Sequence, residues 1–197
     1  MAYTSSQIVQ AVPTGINSAL VLISSTTIGT TVSSVAISNA FSSTYDNYKI
    51  IVSGGISSAS NAGFIYMGTG ALPASGYYRF TFSGVYSGTT VTGFNSSNGA
   101  AWGGTFQTST DSSHTSFELF SPNLAKNTHI ISTCARSATT ANALFTGGYL
   151  ADTTQYTGFT LNSKRQRQLR RAKKLTNRLR IFDGFQCCIL ARMRSAI

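Results

Sequence analysis

Residues 78–82 read Tyr-Arg-Phe-Thr-Phe, and residues 115–120 read Thr-Ser-Phe-Glu-Leu-Phe. In both, apolar and polar side chains alternate: Tyr78, Phe80 and Phe82 against Arg79 and Thr81, then Phe117 and Leu119 against Ser116 and Glu118. A strand sends successive side chains to opposite faces, so a period of two makes strands with one buried face and no helical stripe. The expected core therefore includes Phe80, Phe82 and Phe117.

The same reading extends along the chain. Short runs rich in Val, Ile, Phe, Tyr and Thr are broken by Gly, Ser, Asn or Pro, which is strand-and-turn punctuation. Candidate strands are Ala19–Ile23, Thr31–Ile37, Tyr48–Ser53, Phe64–Met67, Tyr78–Phe82, Thr90–Phe94, Trp102–Phe106, Thr115–Phe120, His129–Cys134, Leu144–Leu150 and Tyr156–Leu161. Only Gln7–Val12 reads as a brief helical turn, stopped by Pro13. Many short strands with hairpin-length gaps predict an all-β, antiparallel β-sandwich body, jelly-roll-like, over residues 1–161. Such a body has sheet edges to cover and few charges to blunt them, so self-association is expected.

Charge divides the 197 residues in two. Up to residue 160, Lys49, Arg79, Lys126 and Arg136 balance Asp46, Asp111, Glu118 and Asp152, and the formal +10 arises beyond that point. The polarity of the body comes from Ser, Thr and Asn, which gives a neutral, hydrogen-bonding surface. A sequence pI near 9.9 ordinarily points to nucleic acid or an anionic membrane, but here the inference belongs to residues 162–197 alone. Met1 is followed by Ala-Tyr-Thr-Ser-Ser with no basic stretch, and the run Ala19–Ile23 is too short for a membrane span. Synthesis and assembly in a cytoplasm are expected.

Chemistry is sparse. Cys134, Cys187 and Cys188 form no C-x-x-C pair and no even framework, so free thiols are expected rather than a metal site or disulfides. Asp111 and His114 are the nearest thing to an acid–base pair, on a solvated turn, and no paired carboxylates, G-x-S-x-G or H-E-x-x-H occur. The glycine pairs lack the context of a phosphate loop. The expectation is no catalysis and no cofactor. Tyr77, Tyr78, Tyr86, Phe94 and Trp102 could form an aromatic patch for sugars or proteins. Most aromatics of a β body are core, and Trp102 is kept as the candidate surface aromatic. The loops Ser57–Gly63, Asn95–Gly99 and Ser109–His114 are candidate contact loops.

The stretch Thr44-Tyr45-Asp46-Asn47-Tyr48-Lys49-Ile50-Ile51-Val52-Ser53-Gly54-Gly55 follows a Ser/Thr-rich segment, and the body ends in Tyr156-Thr157-Gly158-Phe159-Thr160-Leu161. Between them lie Gly76-Tyr77-Tyr78 and Ser121-Pro122-Asn123-Leu124-Ala125-Lys126. In pattern and order this resembles small tail-fibre or virion-surface structural proteins of marine and cyanobacterial tailed phages. The resemblance implies a β-rich, often trimeric protein on the virion, in contact with other virion proteins and facing a host surface glycan or protein. It also implies one more strand after Gly-Phe-Thr-Leu, of the type Ile-Arg-Val-Tyr-Gly-Tyr, and that strand is missing from the expected set.

Residues 162–197 admit three readings. Ser163 can cap a basic amphipathic helix from about Lys164 to Ile181, stopped by Gly184, with Leu169, Ala172, Leu175, Leu179 and Phe182 at helical spacing. In the alternative function, a nucleic-acid- or anionic-membrane-associated module, the anion-binding residues are Lys164, Arg165, Arg167, Arg170, Arg171, Lys173, Lys174, Arg178 and Arg180. A disordered basic tail is the second reading. The third is a shifted reading frame. With CGN arginine codons, Lys164-Arg165-Gln166-Arg167-Gln168 read one nucleotide later becomes a small-residue turn, and basicity then says nothing of function.

Overall fold

A computed structural model of the chain describes residues 20–29, 32–137, 142–163 and 183–193. These hold twelve strands: β1 (Val21–Ile28), β2 (Ser34–Ile37), β3 (Tyr45–Ile56), β4 (Asn61–Met67), β5 (Tyr77–Val85), β6 (Val91–Gly99), β7 (Trp102–Thr108), β8 (Ser112–Phe120), β9 (Thr128–Ser137), β10 (Asn142–Leu150), β11 (Phe159–Asn162) and β12 (Asp183–Met193). The protein is all-β and antiparallel, and all eleven expected strands are present with shifted ends. The Gln7–Val12 turn lies outside the described residues.

The strands form an eight-stranded sheet in the order β1-β12-β3-β8-β9-β10-β5-β6 and a four-stranded sheet in the order β2-β11-β4-β7. Pairing is nested, the first strand beside the last and the second beside the last but one. Into this frame are inserted two hairpins, β5–β6 between β4 and β7, and β9–β10 between β8 and β11. Both extend the large sheet beyond β8.

One core is shared by the two sheets. The small sheet contributes Ile65, Met67, Trp102, Phe106, Phe159 and Leu161, and the large sheet Tyr48, Ile50, Phe117, Leu119 and Ile189. The Phe159 ring stacks on Phe41 at 5.6 Å and meets Phe117 edge-on at 5.9 Å. Tyr48 keeps its hydroxyl satisfied while buried, donating to the Ser42 carbonyl at 3.0 Å and accepting from the Ser42 N–H at 2.8 Å. Gly63 is required because a Cβ there would run into the Phe106 ring.

The closing strand that seemed missing exists. Asp183–Met193 is β12, placed between β1 and β3, with Ile189 opposite Ile50 and Ala191 opposite Tyr48. Cys187, Ile189 and Ala191 are buried and alternate with Gln186, Cys188 and Leu190. Body and tail therefore do not divide at Leu161, and Gly184 is a strand residue rather than a helix stop. A shifted frame is therefore not needed to supply a closing strand. The signal was a short continuous apolar run, Cys-Cys-Ile-Leu-Ala at 187–191, behind a stretch of cations. The helix from Lys164 to Ile181 and all nine candidate anion-binding residues, Lys164 through Arg180, lie outside the described residues. All three cysteines are free, and burial beside Cys188 pushes the Cys187 thiol up to about 12.

Trp102 is core, fully buried at the start of β7, its ring edge-on to Tyr77 at 5.1 Å and its Nε1–H donating to the Tyr149 carbonyl at 3.3 Å. Phe80 and Phe82 are the reverse correction, at 46% and 48% exposure. Alternation in β5 is real, but the strand is turned over. Thr81 points inward, fully buried, sharing a hydroxyl hydrogen bond of 2.8 Å with buried Thr146 on β10. β7 passes over β9, β10 and β5, and its Thr105 carbonyl accepts from Ser132 of β9 at 2.7 Å. Hydroxyls under β7 are paired in this way, and the aromatics of β5 go to the other face.

Candidate functional site

The outer face of the large sheet changes character across β8. On β12, β3 and β8 it is polar, with a Lys49–Glu118 ion pair of 3.7 Å and Gln186 donating to Ser25 at 3.0 Å. On β9, β10, β5 and β6 it is apolar. Register brings Phe145 opposite Phe82, Gly147 between Ile131 and Phe80, and Tyr149 opposite Tyr78. Phe80 and Phe82 meet edge-on at 4.8 Å, and Tyr78 and Tyr149 stack nearly parallel at 4.8 Å. Cross-strand aromatic pairs of this kind stabilise a sheet locally. Phe145 is 47% exposed, and Ile131 and Val91 also project into solvent. Gly147 has nothing above it, so the face carries a shallow slot between its rings.

At the end of this face where β8 begins and β9 ends, a hollow of about 430 Å³ is lined by residues including Gly54, Tyr86, Ser112, His114, Arg136 and Ser137. Tyr86 comes from the β5–β6 turn, closed by the Gly88 N–H to the Val85 carbonyl at 3.2 Å, and its ring is 62% exposed. Gly54 and Gly55 have φ of 75° and 63°, a left-handed bend near the end of β3 that glycine takes without a Cβ clash.

The polar wall is a directed chain. The Ser137 hydroxyl donates to Asp111 Oδ2 at 2.5 Å. The Ser112 and Ser137 oxygens are 2.7 Å apart, and with the Ser137 proton committed to the carboxylate, Ser112 is the donor. Ser109 braces both ends, its hydroxyl donating to the Ser137 carbonyl and accepting from the Asp111 N–H at 3.2 Å. Arg136 Nε donates to Asn142 Oδ1 at 3.0 Å, and burial lowers the guanidinium from its usual range.

The sequence pair Asp111 and His114 is split, Asp111 in the β7–β8 turn and His114 exposed on β8. Of the candidate loops, Asn95–Gly99 is the second half of strand β6. The two others lie together, with the Ser57 N–H donating to the Ser109 carbonyl at 2.7 Å. Tyr86 was named in the sequence. Ser112 lies in the candidate loop Ser109–His114 and Gly54 in one of the glycine pairs, whereas no local signal marks Ser137, because Ser112 and Ser137 meet only through the β8–β9 register. Among the described residues, no three of His, Cys, Asp and Glu come close enough to hold a metal ion. No family model, no curated protein and no solved structure matches the chain.

Proposed function

We propose that the chain is a noncatalytic structural protein of a bacteriophage virion, assembled in the host cytoplasm, contributing to a tail fibre, receptor-binding tip or capsid decoration by assembly and adhesion. The observation that carries this reading is the aromatic outer face of β9, β10, β5 and β6. Contiguous exposed apolar surface on a small neutral body marks a contact surface, since water alone disfavours it. Copies of the chain meet through this face as a homotrimer.

The finer architecture fits the same reading. The strands β1-β12-β3-β8 over β2-β11-β4-β7 follow the order of a jelly-roll sandwich, an arrangement common in viral shells and in lectins. Fold alone does not give function. The two inserted hairpins matter more, because they build the aromatic face and are not needed to close the frame.

Sedimentation equilibrium of the purified chain, together with peptide mass spectrometry of purified particles, tests the proposal. A trimer that Phe80→Ser/Phe145→Ser converts to a folded monomer, and peptides of the chain in particles, are the expected results. A monomer at every concentration, or a chain absent from particles, overturns it.

A further inference from the structure

We infer that the hollow bounded by Tyr86, Ser112, His114 and Ser137 is a binding site for a neutral pyranose sugar. The inference rests on the adhesive role proposed above and gives it a location and a ligand class.

Three features of the hollow converge on that chemistry. The first is an aromatic ring in water. Tyr86 is 62% exposed on a turn, where it covers no core. A pyranose offers a ring of such an aromatic its apolar C–H face, and the ring loses little conformational freedom on contact.

The second feature is the directed hydroxyl chain. Ser112 donates to Ser137 and Ser137 to Asp111, so every proton in the chain already points along it. What remains toward the hollow is acceptor capacity, the lone pairs of Ser112, with Asp111 anchoring the chain from just outside the lining. His114 adds a polar ring edge on the same wall. Sugar hydroxyls are donors and acceptors at once and match a wall of this kind.

The third is charge. The Arg136 guanidinium in the lining is held by the Asn142 side-chain carbonyl, and Asp111, just outside the lining, by the Ser137 hydroxyl. Both charges are already engaged, so a neutral ligand, which asks for no ion pair, fits best. The volume of about 430 Å³ suits one or two sugar rings.

The site is compatible with self-assembly. Ser137 lies four residues along β9 from Thr133, which pairs with Phe145, so the hollow is about 13 Å from the centre of the aromatic face at ~3.3 Å per strand residue.

The test is saturation-transfer NMR and calorimetric titration of the full chain with lactose, maltose, cellobiose and chitobiose. Saturable binding of at least one, with an affinity of roughly millimolar, is expected for so open a site. Tyr86→Ala weakens it about tenfold and Tyr86→Phe leaves it intact, because the ring and not the hydroxyl makes the contact. Ser137→Ala and Asp111→Asn each weaken it by about three- to tenfold through the disordered acceptor wall. All three positions are at the surface, so unchanged thermal unfolding verifies that the four variants fold. No saturable binding of any of the four sugars, or binding that Tyr86→Ala leaves unchanged, overturns the inference. A trimeric chain present in particles but blind to sugars sinks the sugar site alone. A monomeric chain absent from particles that still binds sugar through Tyr86 sinks the virion reading and keeps the site.

Discussion

One sheet presents two different surfaces to water. On β12, β3 and β8 the inward side chains are Ile189, Ile50 and Phe117, and the outward ones include Gln186, Lys49 and Glu118, the ordinary distribution. On β10 and β5 the inward side chains include Thr146 and Thr81, and the outward ones are Phe145, Phe80 and Phe82. The first half faces the small sheet with apolar side chains and water with polar ones. The second half has a mixed interior, with the paired hydroxyls of Thr81–Thr146 and Ser132–Thr105 beside Tyr77, Ile130 and Leu150, and an apolar exterior that only another molecule can cover. The difference teaches that the frame of the fold and its contact surface are built by separate strands.

That contrast can be broken from the framework side first. Deleting β12 removes a strand from between β1 and β3, and the chain is then expected not to fold. Ile189→Ala, a milder version, should cost about 2–5 kcal/mol in urea unfolding. Phe145→Ser, in contrast, should change the stability of the isolated chain by less than about 1 kcal/mol while dissociating the assembly. Equal losses for the two substitutions would erase the distinction between frame and contact surface.

The hydroxyl interior gives a sharper test of smaller size. Thr81→Val leaves the Thr146 hydroxyl buried without its partner and should cost about 1–3 kcal/mol. Thr81→Val/Thr146→Val should recover part of that loss, since the two facing hydroxyls go together and only the Arg79 Nη1 hydrogen bond to Thr81 stays lost. If the double substitution is additive, the pair is not coupled and the polar interior is not what turns β5 over.

The end of the molecule opposite the sugar hollow supplies a pH test. Asp152 lies in the β10–β11 connection. Burial pushes its carboxyl up, but hydrogen bonds from the Tyr156 hydroxyl and from the Thr154 and Thr153 region outweigh that and hold it below the usual range. The same contact, together with burial, raises Tyr156. A carboxyl depressed in the folded state contributes stability above its unfolded pKa, near 4, and loses it as pH falls through the folded value. Because Asp152 is only partly buried, the loss is small. Acid unfolding profiles should show Asp152→Asn less stable than the parent at neutral pH and converging with it at low pH. Smallest of all, Lys49→Ala should cost at most about 1 kcal/mol, since the Lys49–Glu118 pair is half-exposed.

The site was legible only in pieces. Tyr86, Asp111 and His114 stand out in the sequence as an aromatic and an acid–base pair. Ser137 lies far from them along the chain and joins them through the pairing of β8 with β9. Ser and Gly are too common in turns for any local pattern to select Ser112, Ser137 or Gly54.

Sequence alone determined the strands, because period-two alternation and turn residues are local properties of the chain, and all eleven expected strands are found. It did not determine β12, where a run of cations precedes a short continuous apolar segment whose helical or extended state depends on a slot between β1 and β3. Nor did it determine which face of β5 is inside. Alternation states that two faces differ, and only the neighbouring layer decides which face meets water. β5 places Thr81 inward against Thr146 of β10, beside the Tyr77–Trp102 contact with β7, and Phe80 and Phe82 turn out.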